Sequence, residues 1–157
     1  VKLVLGAGGR PWVSADAVNS ADAVNLDRVA LPGIDVVHDL DVGPWPFEDG
    51  AASSIEARDV FEHVDNPVLF MTESHRVLRA GGVMRIRTPH FTCIDAFTDP
   101  THRRFPTEHT FDYWIEGTVF HREYNAAYGG VSFHMPEPIT MDNGSMVVLL
   151  YAVKGHP

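Results

Sequence analysis

Gly6-Ala7-Gly8-Gly9 stands directly after a short apolar run, and Asp27 follows about twenty residues later, the offset at which a glycine turn and an acid hold a nucleoside. Small residues let the backbone turn sharply and approach a ligand closely, and an acid ending the second strand can accept both hydroxyls of a ribose. A dinucleotide would also need a small residue at the sixth position counted from Gly6, and free N–H groups at the helix start for its pyrophosphate. Pro11 fills that position and removes one donor. A nucleoside without phosphate tolerates this loss. The same residues could equally serve as a tight connection from strand to helix.

A second group of candidates follows residue 88. His90 comes just past an apolar run, and Asp99-Pro100-Thr101-His102-Arg103-Arg104 offers an acid, an imidazole and two guanidinium groups in one turn-forming stretch. Three functions compete for them. Asp99 and Arg103 could contact a substrate; His90 or His102 could act as general base, since imidazole titrates near neutrality; or His90, Asp99, His102 and His109 could ligate a metal. The metal reading lacks the dense, short ligand spacing of a structural zinc site, and no metal is expected. Against all three stands a plainer role, in which Asp99 and His102 brace the loop while Phe91, Phe97, Phe105, Phe111, Tyr113 and Trp114 build core and pocket wall.

Composition narrows the partners. Twelve Lys and Arg against 21 Asp and Glu leave a net charge of −9, which repels polyanions, so nucleic acid is not expected. Cys93 is the single cysteine; no internal disulfide can form, which fits a reducing, cytoplasmic setting. The apolar run at 146–153 is too short to span a bilayer, and the glycine turn interrupts the amino terminus where a signal peptide would need continuous apolar residues. At 157 residues the chain is expected to be one domain, with no membrane association.

The elements that must position these residues read as alternating strands and helices. Strands are expected at 2–5, 24–26, 35–38, 53–57 and 83–88. The fourth is weakened by two serines and Glu56, poor material for a strand buried on both faces. The hexapeptide at 14–19 recurs identically at 20–25; its first copy is expected to form a short helix. The best helix covers 67–79, with Asn66 as cap, Pro67 at its first position and Gly81 as the left-handed residue past its end. Residues 89–130 lack clean periodicity and read as loop and short helix. Asp142-Asn143-Gly144 between two apolar runs signals a hairpin.

In order along the chain, the glycine turn, Asp35-Val36-Val37-His38-Asp39-Leu40-Asp41, Pro44-Trp45-Pro46-Phe47-Glu48-Asp49, Phe61-Glu62-His63-Val64 and Arg76-Val77-Leu78-Arg79-Ala80-Gly81-Gly82 form a series. This series resembles the class I S-adenosylmethionine-dependent methyltransferases. The resemblance implies a Rossmann-like, doubly wound, mostly parallel α/β sheet closed by a carboxyl-terminal antiparallel hairpin. It divides the domain into a cofactor half at 1–88 and an acceptor-side half at 89–157. It implies S-adenosylmethionine as cofactor, held by Gly6, Ala7, Gly8 and Gly9, by Asp27 at the ribose, by His38, Asp39 and Leu40 at the adenine, and by Arg58, Asp59 and Val60 near the methionine moiety. Glu62 and His63 are expected to be structural.

Two positions depart from the family pattern: Val4 where many members carry an acid, and Arg10 where many carry a third alternating glycine. The chain also begins at the first strand, without the preceding helices that often cover the acceptor. The expected activity is methyl transfer to a small molecule, with His90 and His102 on the acceptor side. A non-catalytic relative that only binds the cofactor and a nicotinamide-dependent oxidoreductase are the alternatives; Pro11 and His38-Asp39-Leu40 speak against the second.

Overall fold

A computed structural model describes residues 1–8 and 23–155. Gly9 and the helix expected at 14–19 lie outside the described residues.

Among the described residues eight strands form one sheet: β1 (Lys2–Leu5), β2 (Ala23–Asp27), β3 (Val36–Val37), β4 (Ala52–Arg58), β5 (Leu78–Pro89), β6 (Ser132–His134), β7 (Thr140–Asp142) and β8 (Ser145–Val153). The order is β3-β2-β1-β4-β5-β8-β6, with β7 also on β8. The first five strands are mutually parallel, and β6, β7 and β8 add antiparallel pairs. This is the doubly wound α/β fold expected, with its terminal hairpin. Asn143 and Gly144 both take positive φ, 47° and 82°, the backbone that a two-residue hairpin turn requires. β6 was not anticipated; its three residues carry too little pattern to be read locally.

The weak fourth strand forms because its charge finds a partner across the ladder. Glu56 stands opposite Arg85 of β5, and the two side chains pair at 2.7 Å. Such pairing removes the cost of carrying a carboxylate into a half-dry sheet. Apolar neighbours Ile55 and Ala57 join the core with Leu3, Leu5, Met84 and Ile86.

Helix α1 (Pro67–Val77) begins as expected: the Asn66 side chain accepts the Leu69 N–H at 3.0 Å and Pro67 occupies the first turn. It ends two residues early. Leu78 is already extended and pairs with Ala52, whereas the next paired residue of β5 is Val83, opposite Ser54. Gly81, with φ of 68°, therefore shapes a bulge inside the strand and does not cap the helix.

One polar network fixes the loop after β3 to this helix. Arg76 donates to both Glu73 carboxylate oxygens, to the Phe47 and Trp45 carbonyls and to Asp49. Glu73 accepts the Trp45 backbone N–H at 2.6 Å, and the Trp45 indole donates to the Leu40 carbonyl at 3.1 Å. The buried Trp45 ring meets Phe70 edge-on. Residues 38–41 are thereby held at the carboxyl end of the sheet, where open α/β sheets place their ligands. The arginine hydrogen bonds hold the Glu73 carboxyl below the usual range.

Residues 90–130 are loop with two short α-helices, α2 (Asp95–Thr98) and α3 (Val119–Tyr124), and a 3-10 turn at Asn125–Tyr128. No described helix is long and apolar enough to cross a membrane.

Candidate functional site

A cavity of about 220 Å³ opens at the carboxyl ends of β1, β2 and β4, and its wall includes Gly6, Asp27, His38, Asp39, Leu40, Asp59 and Val60. Seven of the residues proposed for the cofactor thus meet in one cleft, although they come from four separate stretches of chain. Gly6 must be glycine there: its φ is 61°, and a Cβ would lie 2.4 Å from a Val60 methyl. Asp27 joins the first two strands at their mouth. Its Oδ2 accepts the Gly8 N–H at 2.9 Å and its Oδ1 the Val29 N–H at 3.0 Å.

Asp39 accepts the Asp41 N–H at 3.0 Å, closing a tight turn that aims the segment into the cleft. Asp41 in turn accepts the N–H groups of Asp65 and Asn66, each at 2.8 Å, and so ties the cleft wall to the start of α1. Asp59 has a φ of 52°, uncommon for a residue with a side chain, and its carboxylate pairs with Arg87. Arg58 ends β4 opposite Arg87 and lines neither this cavity nor the next. Leu26, Arg28, Asp41, His63, Val64 and Thr101 complete the wall; sequence reasoning did not assign these six to the cleft. For His63 a signal existed, its place beside Glu62 in the motif after β4.

A second cavity, of about 620 Å³, lies next to the first and shares Asp59 and His63 with it. Glu62, Arg87, Asp95, Asp99, His102 and Ser145 stand in its wall. Asp99, Pro100 and His102 reach it because their loop is pinned to the 3-10 turn at Phe61–His63: the N–H groups of Arg103 and Arg104 both donate to the Glu62 carbonyl, at 2.8 and 3.1 Å. The His63 and His102 rings then meet edge to face, centroids 4.7 Å apart. Glu62 is 1% exposed; its Oε2 accepts the Thr88 hydroxyl at 2.9 Å, and no described group hydrogen-bonds to Oε1. Burial pushes its carboxyl above the usual range, and burial also pushes the His63 imidazole below its own, helped by the His102 charge.

Residues 12–86 match the family model described as methyltransferase domain. That stretch, 75 of the 157 residues, is similar to a methyltransferase domain. The fold of the chain is similar to that of the S-adenosylmethionine-dependent methyltransferase from Archaeoglobus fulgidus, at 12% identity and a TM-score of 0.63 over 96% of this chain and 85% of that one. It is also similar to a possible histamine N-methyltransferase from Thermotoga maritima, at 16% identity and a TM-score of 0.62 over 98% and 82% of the two chains. An S-adenosylmethionine-dependent methyltransferase from Aquifex aeolicus gives 13% identity and a TM-score of 0.60 over 97% and 81%. No curated protein sequence matches the chain.

The fold does not gather all the acceptor-side candidates. Asp99 and His102 reach the second cavity, but His90 does not. Its ring is buried, Nδ1 2.7 Å from the Thr92 hydroxyl and Nε2 3.2 Å from a Glu108 oxygen, with Phe91 packed edge-on against it. Arg103 lines neither cavity and points its Nε to Asp65 at 2.8 Å. His109 pairs with Asp112 on the surface. The four residues weighed as a metal set are therefore dispersed.

Proposed function

We propose that this domain transfers the methyl group of S-adenosylmethionine to a small-molecule acceptor in the second cavity. The observation that carries the reading is the charge of the first cavity. Four carboxylates, Asp27, Asp39, Asp41 and Asp59, line it beside the glycine turn. Such a wall repels a pyrophosphate and favours a ligand with hydroxyl and amino donors and a sulfonium charge.

In this reading Asp27 accepts the ribose hydroxyls and Asp39 the adenine amino hydrogen, with Leu40 packed against the ring and His38 beside it. Gly6, Ala7 and Gly8 bring backbone close to the nucleoside, and Asp59 and Val60 form the end nearest the methionine moiety, with Arg58 outside the cleft. An acceptor lone pair attacks the methyl carbon in line, the carbon–sulfur bond breaks with its electrons going to sulfur, and the acceptor releases a proton. The protein contributes alignment and exclusion of water, so no covalent intermediate is needed. Asp99 and His102 form the acceptor wall, while His90 and Arg103 brace the loop that carries it. A net charge of −9 favours a small acceptor over nucleic acid. A reducing cytoplasm suits a chain with one cysteine.

Calorimetry with S-adenosylmethionine, S-adenosylhomocysteine and NAD in parallel tests the assignment. Both sulfur nucleosides should bind and NAD should give no heat. Heat from NAD alone would overturn it.

A further inference from the structure

One donor atom from each of Glu62, His63 and His102 lies within 4.8 Å of the other two, and all three residues face the second cavity. The hydrogen bonds around them fix which atoms remain. His102 Nδ1 lies 2.8 Å from the Ala96 carbonyl, which can only accept, so Nδ1 carries the proton and Nε2 keeps its lone pair. At His63 the Thr101 hydroxyl sets the tautomer. That hydroxyl gives its hydrogen to Asp99 at 2.7 Å, so it accepts from His63 Nδ1 at 3.0 Å, and His63 Nε2 also keeps its lone pair.

Glu62 adds Oε1, buried and without a hydrogen-bond partner among the described residues, while its second oxygen is oriented by Thr88. Each of the three residues thus keeps a donor atom without a hydrogen, and all three meet at the cavity wall. Each is held by an outer partner of the kind that orients metal ligands: a carbonyl, a hydroxyl backed by a carboxylate, and a hydroxyl.

We propose that Glu62, His63 and His102 bind one divalent transition-metal ion at the wall of the acceptor cavity. Imidazole and carboxylate together suit zinc, iron, cobalt or manganese, and three protein ligands leave positions open for an oxygen of the acceptor. Resting on the methyltransferase reading, the proposal narrows the acceptor to a molecule with a hydroxyl or similar oxygen that the ion can hold and acidify. A nitrogen that ligates the ion cannot also take the acceptor proton, so His102 would act as a ligand and not as a base.

The test needs neither cofactor nor acceptor. The protein, stripped with chelator, is titrated with Co²⁺ and followed by its visible d–d absorption, with Zn²⁺ competition by calorimetry. Absorption should saturate at one equivalent, and Glu62→Gln, His63→Ala and His102→Ala should each weaken binding by at least about tenfold. His109→Ala, outside the cavity, should bind as before. Where an alanine variant fails to fold, glutamine at the same position replaces it. Absence of a one-equivalent transition, or affinity unchanged in the three variants, overturns the proposal. S-adenosylhomocysteine calorimetry on the wild type is scored separately: no nucleoside binding in a protein that still takes cobalt would condemn the cofactor reading alone.

Discussion

Asp27 Oδ2 accepts the backbone N–H of Gly8 at 2.9 Å, so the acid that ends β2 also holds the turn that follows β1. The proposed ribose acid thus has two tasks, shaping the glycine turn and accepting the nucleoside. Asp27→Ala should weaken S-adenosylhomocysteine binding by about 1.5–3 kcal/mol, the range for losing a charged hydrogen-bond acceptor. Calorimetry reads this as roughly a 10- to 150-fold change. Unchanged affinity in a folded variant would remove Asp27 from the ribose.

Gly6 and Gly8 have nearly the same φ, 61° and 62°, but different surroundings. A Cβ on Gly6 strikes Val60, whereas one on Gly8 meets no described atom within 4 Å. Gly8→Ala should therefore cost only the backbone term, about 1–2 kcal/mol, while Gly6→Ala adds a clash in the cleft wall and should cost about 3 kcal/mol or more. Denaturant unfolding of the two variants checks the order, and a Gly8→Ala variant weaker than Gly6→Ala would contradict it.

His90 is enclosed by Thr92, Glu108 and Phe91 and stands outside both cavities. Replacing the buried ring with alanine leaves a cavity in the packing and should cost about 2–4 kcal/mol of stability. Nucleoside affinity should not move. Thermal unfolding beside calorimetry separates the two effects, and a stable variant with lost binding would return His90 to the site.

Glu62 gives a pH dependence whose sign follows from burial. Its folded carboxyl titrates above the ordinary 4.5, mainly through desolvation, with Asp59 adding to the rise and Thr88 and His102 opposing it. Between 4.5 and the folded value the native state holds more proton than the unfolded chain, so metal-free stability falls as pH rises through that window. Denaturation series in chelator, from roughly pH 4 to 8, should show a shallower fall for Glu62→Gln than for the wild type. Equal slopes would mean that Glu62 carries its charge at no cost in the folded protein.

What the sequence determined by itself was what neighbouring residues settle among themselves. The glycine turn after β1, the Asn66 cap with Pro67 behind it and the Asn143-Gly144 hairpin depend on φ preferences and on donors only a few residues away. The ordered motifs meet at one cleft for a related reason, since every strand of a parallel sheet delivers its carboxyl end to the same side. The tertiary structure decided the rest. Glu56 could enter a buried strand because Arg85 faces it from β5, a pairing of residues 29 apart. His102 joined Glu62 and His63 because two backbone N–H groups of its loop bind the Glu62 carbonyl. His90, of the same residue type and only a strand end away, was turned into the packing instead. Residue type states what a side chain could do, and the long-range hydrogen bonds that place its loop decide what lies within its reach.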